Sequence, residues 1–210
     1  MSTLSSTDIA NLALARVGET TISNIDTDTS VPAQKCRLFY APDRDALLEA
    51  YWWRFAAGRA SLAQSVSTPS FEYDYAFALP NDFLCLRTIW DECADGGNLP
   101  YTCAIEGQFI LSNESTMKIR YTKRITDTTK FSEQFIQCLK TRMALDLLYA
   151  LSRKSAAASA DRLQIELDKL LVEAKMATLA EQNRVGRYNR TTWNDARRGY
   201  TDTSLANLGS

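Results

Sequence analysis

Carboxylates are the residues of this chain whose spacing could carry catalysis. Asp43, Asp45 and Glu49 fall on one expected helix, and Asp91 and Glu92 follow an expected strand. Two carboxylates can divide general-acid and general-base work, as in glycoside hydrolysis. Asp45 and Glu49 are four apart and so share a helix face, but that spacing is commonplace on solvated helices, and like charges there repel. A wet or ion-paired surface is the better reading. Histidine is absent from all 210 residues. That excludes Ser-His-Asp and Cys-His nucleophile systems, histidine general bases and His-ligated zinc. G-x-G-x-x-G, P-loop, H-E-x-x-H and G-x-S-x-G patterns are also missing. The sequence therefore assigns no catalytic residue, no cofactor and no metal, and predicts a protein that is not an enzyme.

Five cysteines, Cys36, Cys85, Cys93, Cys103 and Cys138, form no C-x-x-C pair. Cys85, Cys93 and Cys103 share one expected sheet region but lack a fourth ligand, so buried free thiols are the expectation over a metal site. The odd count and the polar opening Met1-Ser2-Thr3-Leu4-Ser5 predict synthesis in a reducing cytoplasm. No apolar run approaches the ~20 residues of a bilayer span, which predicts no membrane partner. Trp52-Trp53-Arg54-Phe55 is the most aromatic run. It could stack a ligand, but its place at a helix end before a sheet favours rings that fill a joint.

The elements that position these residues follow from periodicity. Thr7 or Ser6 can cap a first helix with Ile9, Leu12, Ala13 and Val17 on one face, stopped by Gly18. Residues 19–30 read as a loop. Pro32 suits the first turn of a second helix running to about Phe55, which Pro42 should kink or split. Near Arg59 the period changes to two. Phe71, Tyr73, Tyr75, Phe77 and Leu79 predict a strand with an aromatic inner face. Phe83 to Trp90 predicts a strand buried on both faces. A hairpin around Glu106-Gly107 and a strand with Met117, Ile119 and Tyr121 inward complete the sheet region. Ser132 caps a third helix whose stripe is Phe135, Leu139, Met143 and Leu147. A polar break at residues 152–155 leads to the longest helix, about 156–182, with Leu163, Leu167, Leu170, Leu171 and Ala174 inward and Arg162–Glu166 paired outward.

The predicted class is α+β: a helical bundle with an inserted antiparallel β-meander and an extended C-terminal arm. The boundaries are 1–58 and 131–183 for the helical domain, 59–130 for the β insertion and 184–210 for the arm. At 23.6 kDa a compact chain would bury about 70% of its unfolded surface, enough for a core without staples. The net charge is -1, which argues against a constitutive nucleic-acid binder. The arm differs from the rest. From Arg184 it holds five arginines against two aspartates, a net charge of +3, with Tyr188, Trp193 and Tyr200 between them and no core-forming period. Tyr, Trp and Arg dominate protein interfaces, so Tyr188, Trp193 and Tyr200 are expected anchors. Arg187, Arg190, Arg197 and Arg198 are expected to pair with acidic groups on a partner.

An ordered set of residues runs along positions 7–185. It begins with Ala13-Arg16-Val17-Gly18-Glu19, then Cys36-Arg37-Leu38-Phe39-Tyr40 through Arg44-Asp45-Ala46-Leu47-Leu48 to Trp53-Arg54-Phe55. Tyr75-Ala76-Phe77-Ala78-Leu79-Pro80-Asn81-Asp82 follows, then the Glu106-Gly107 hairpin, Ile119-Arg120-Tyr121, Arg124-Ile125-Thr126-Asp127 and the final helical pair. In this order the chain resembles the tail tubular protein A, or head-to-tail adaptor, family of short-tailed bacteriophages, with one residue more than the family's pattern in the Tyr75–Asp82 stretch. The resemblance implies a structural virion protein at the head–tail junction, made in the host cytoplasm. It implies a ring, usually of twelve copies, between the portal protein and the tail nozzle, a tail tubular protein B-like partner, with phage DNA only in transit. The arm would be disordered in the free monomer and ordered against the portal or a neighbouring subunit. The rival readings are a tail-associated hydrolase of peptidoglycan or polysaccharide, and a cytoplasmic helical regulator.

Overall fold

The computed structural model describes residues 4–90, 103–151 and 156–188. The fold is α+β. Its elements run α1 (Ser6–Val17), α2 (Val31–Ala50), β1 (Ala57–Leu62), β2 (Tyr75–Ala78), β3 (Phe83–Trp90), β4 (Cys103–Glu106), β5 (Phe109–Ser112), β6 (Met117–Lys123), α3 (Glu133–Leu151) and α4 (Ala156–Tyr188). Two compact units result, Met1–Leu171 and Val172–Ser210. Helices and sheets thus share the first unit, and the break falls inside α4, not at residue 184.

Local chemistry explains the helix ends. Ser5, not Ser6 or Thr7, caps α1: its Oγ accepts from Asp8 N at 3.1 Å, and Asp8 Oδ2 accepts from Ser5 N at 2.9 Å. This reciprocal box satisfies two donors that a helix start leaves open. Thr7 Oγ1 instead accepts from Ile25 N and pins the following loop. Gly18 ends α1 at φ 80°, a left-handed position glycine adopts without strain. The buried stripe of α1 is Ile9, Ala10, Ala13 and Leu14, whereas Leu12 faces outward. Helix α2 has Pro32 in its first turn, as expected, and Ser30 as its cap. It stops at Ala50, short of Phe55. Tyr51 is extended, and Arg54–Ala56 forms a separate 3-10 turn. Pro42 does not divide α2. The carbonyl that loses its donor belongs to Leu38, on the exposed face.

Helix α3 lies against both α1 and α2. Ser132 Oγ accepts from Phe135 N at 3.3 Å, the expected cap. Phe135, Leu139, Met143 and Leu147 are all buried. In α4, Glu166 pairs with Arg16 of α1 at 2.8 Å, not with Arg162. Leu167 is buried, while Ile165 is exposed. Within the second unit, α4 continues through Gly186 to Tyr188, so Arg184 and Arg187 are helical rather than part of an extended arm. Ala174 is buried there, and Val172 and Met176 are exposed.

The β region is not a meander. Two antiparallel three-stranded sheets form, in the orders β1-β6-β3 and β2-β5-β4. Only β4 and β5 are both consecutive and paired, through a turn at Gly107 with φ 59°. The first strand, β1, lies where no apolar alternation announced it. Phe77 and Ile110 of one sheet and Met117, Ile119 and Tyr121 of the other form one buried cluster, the geometry of two sheets packed face to face. Strand β3 has the expected bounds, but its side chains from Phe83 to Ile89 are only half-buried. Among the described residues it is an edge strand, with one neighbour rather than two and with two register shifts.

Candidate functional site

The buried stripe of α2 runs Ala33, Cys36, Tyr40, Asp43, Arg44, Leu47 and Leu48. Two charged residues therefore sit in a core stripe. Asp43 is 4% exposed. Its Oδ1 accepts from Arg142 Nε of α3 at 3.1 Å. Its other neighbour is the Asp146 carboxyl, also on α3. Burial, then the hydrogen bond and charge of Asp146, raise Asp43 well above its ordinary value, and Arg142 opposes this only in part. Asp43 Oδ2 has no donor, and a proton retained on Asp43 makes that carboxyl a donor toward Asp146. The Tyr40 hydroxyl, one turn away, is likewise buried without a partner, and burial pushes it up to about 12.

The other helix carboxylates are occupied differently. Asp45 Oδ1 accepts from Arg44 at 2.7 Å and its Oδ2 from Arg124 Nε at 3.0 Å. Asp45 thus fixes the segment leaving β6 to α2. Glu49 is exposed, and its backbone carbonyl accepts from Arg87 Nη2. Asp43, Asp45 and Glu49 are not brought together as an acid–base pair. Asp91 and Glu92 lie outside the described residues.

Trp53 fills a joint. It is 3% exposed, and its Nε1 donates to Leu47 O at 2.7 Å. Its ring meets Tyr51 at 5.4 Å and Phe135 at 5.1 Å, both edge-on. Phe55 meets Phe131 and Phe135. These rings fill a joint, but it links the end of α2 to the start of α3 rather than the helices to the sheet. Cys36 and Cys138 are buried, and Cys85 and Cys103 are half-buried. No metal-ligating cluster occurs among the described residues. Cys93 lies outside them.

An open cavity of about 310 Å³ lies on the outer face of the β2-β5-β4 sheet, under residues 65–73. Cross-strand register puts Ala76 beside Leu111 and Ala78 beside Phe109, so these side chains share that face, opposite Phe77 and Ile110. Phe71, Glu72, Tyr73, Glu106 and Phe109 wall it. Tyr73 N donates to Phe71 O at 2.9 Å around Glu72, whose φ is 72°. A three-residue turn of this hand is strained for a non-glycine residue. It ends the expected Phe71–Leu79 strand at Tyr75 and turns Phe71 outward, 80% exposed. Tyr73 is raised by partial burial first, then by the charges of Glu72, Cys103 and Glu106 and a hydrogen bond to Glu72. No local pattern announces this cavity, because its carboxylates are 34 residues apart and are brought to one face only through strand pairing.

Of the expected partner-binding residues, Arg187 and Tyr188 lie in the last turn of α4. Arg190, Trp193, Arg197, Arg198 and Tyr200 lie outside the described residues. No protein-family model matches the chain, and no curated protein matches its sequence.

Proposed function

We propose that this chain is a structural virion protein, a head-to-tail adaptor that joins a portal to a tail nozzle as a ring and forms part of the DNA ejection conduit. The carrying observation is apolar surface left uncovered on separate elements of one chain. Val66, Phe71, Ile105 and Phe109 are exposed around the β2-β5-β4 sheet. Val172 and Met176, four apart on α4, are exposed as well. Contiguous apolar patches mark sites where another chain docks. A ring subunit needs two such places, because each copy meets two neighbours through unlike surfaces.

The ordered resemblance to the adaptor family supports the same reading. So does the fate of the helix carboxylates: Asp45 is held by two arginines and Asp43 is buried against α3. Both serve the scaffold, which favours a structural role over hydrolysis. The proposed partners are the portal, the nozzle and further copies of the chain, with Tyr188, Trp193 and Tyr200 as anchors toward the portal or a neighbouring subunit. Electron microscopy of the protein mixed with purified portal tests this. Ring-shaped density on the portal is the expected result. A 23.6 kDa species that leaves the portal bare at every concentration would overturn it.

A further inference from the structure

We propose that the cavity walled by Phe71, Glu72, Tyr73, Glu106 and Phe109 receives an arginine side chain from the segment beginning at Arg184 of a second copy of this chain. This rests on the assembly reading above and names the contact that would join neighbours.

The cavity's chemistry selects its occupant. Two carboxylates and two phenyl rings line it, together with the Ser65, Ser67, Thr68 and Ser70 residues of the covering loop, and no lysine or arginine does. At about 310 Å³ it lies at the small end of ligand cavities, sized for one side chain and its stem rather than a polymer. A cation is favoured by the two glutamates. A guanidinium is favoured over an ammonium, because its flat fork bonds a carboxylate through two donors and stacks on a ring face. The turn that carries Glu72 is held by the Tyr73–Phe71 backbone bond and by a hydrogen bond between Tyr73 and Glu72.

Charge complementarity points to the segment from Arg184. It carries five arginines and a net charge of +3 on a chain whose total is -1. Its Tyr188, Trp193 and Tyr200 can cover the exposed Phe71, Ile105 and Phe109 around the cavity rim. A contact from this segment to a cavity on the next copy uses unlike surfaces and repeats from subunit to subunit, as ring closure requires.

Charge exchange in the full chain tests the proposal, with self-association followed by sedimentation velocity, alone and with purified portal. One variant carries Glu72→Arg and Glu106→Arg; the other carries Arg187→Glu, Arg190→Glu, Arg197→Glu and Arg198→Glu. Each alone should weaken association about tenfold or more while keeping the wild-type far-UV spectrum. Mixed in equal amounts they should regain it, because each then offers the other a matching contact. Association of both variants at wild-type strength would overturn the cavity's role and leave the assembly reading standing. Weakened variants whose mixture does not recover would overturn the second copy as occupant. A wild-type chain that never associates, with portal or without, fails both readings. Cavity-dependent binding of a peptidoglycan or polysaccharide fragment, lost on Glu72→Gln with Glu106→Gln, would assign the cavity to sugar instead.

Discussion

Arg87 Nη2, on an edge strand, donates to the carbonyl of Glu49 at 2.8 Å, in the last turn of α2. The same nitrogen reaches Leu48 O at 3.2 Å and Tyr51 O at 3.1 Å, while Nε donates to Thr122 Oγ1 on β6 at 2.7 Å. A helix end leaves its last carbonyls open and carries partial negative charge, so a guanidinium there satisfies both needs. One side chain thus ties α2 to the β1-β6-β3 sheet.

Arg87→Ala should cost about 2–3 kcal/mol, the range for losing hydrogen bonds to a charged donor. Arg87→Lys should restore less than half, because an ammonium cannot span α2 and Thr122 together. Urea unfolding with an unchanged m-value is the measurement. An Arg87→Ala midpoint equal to wild type would show that the helix end is satisfied by water.

The Asp43–Asp146 pair makes stability depend on pH in a defined direction. Asp43 holds its proton in the folded state at pH values where the unfolded chain, with an ordinary value of 3.8, has lost it. The folded state then binds more protons, so this contribution is fully present below 3.8 and is lost as pH rises through the raised folded value. Asp43→Asn can donate to Asp146 and accept from Arg142 without that proton. Its stability relative to wild type should improve from pH 4.5 to pH 8 by about 1–3 kcal/mol, the equivalent of a one- to two-decade proton affinity change. Thermal melts at the two pH values would reject the retained proton if the difference stayed constant.

Phe135→Ala should destabilise the helical core by about 3–5 kcal/mol, because three rings lose their common neighbour. Trp53→Phe should cost less, about 1–2 kcal/mol, since packing survives while Leu47 O loses its donor. Equal losses for the two would place the energy in the hydrogen bond rather than in the rings.

Thiol labelling should sort the cysteines by burial. Cys85 and Cys103 should react with a disulfide reagent in the native protein before Cys36 and Cys138 do. Burial pushes the Cys36 thiol up to about 11, so little thiolate exists near neutral pH. Prompt native-state labelling of Cys36 would contradict the packing of α2. All five should be reduced, with no stoichiometric zinc by elemental analysis.

No turnover is expected on peptidoglycan or polysaccharide. A hydrolytic rate abolished by Asp45→Asn or Glu49→Gln, with the fold intact by circular dichroism, would move the protein to the hydrolase class.

Long periodic segments could be read from the residues. The Phe135–Leu139–Met143–Leu147 stripe and the inward Met117, Ile119 and Tyr121 stand where their spacing put them. What could not be read was set by distant partners. Leu12 fits an apolar stripe on α1 beside Ile9 and Ala13, yet it is exposed and Ala10 and Leu14 complete the buried face instead. Asp43 occupies a core position three residues after Tyr40, a signal present in the sequence, but its meaning depended on Asp146 over 100 residues away. Phe71 continues a clean alternation that the turn at Glu72 breaks. The hairpin at Glu106-Gly107 was legible and forms as β4–β5, but the rest of the strand order was not, because β1 and β6 pair across more than 50 residues and carry no local mark of one another.

That pairing has a further consequence. The chain enters the β region at Ala57 and leaves it beside Thr122, directly across the β1–β6 ladder. Neighbouring strands lie about 5 Å apart, so the two ends of everything between them almost touch. Such an arrangement is a graft point. Residues inserted, deleted or exchanged between β1 and β6 change the size and surface of the sheets without lengthening the path from α2 to α3. Lineages carrying this body can therefore remodel what the sheets present while the helices inherit unchanged spacing.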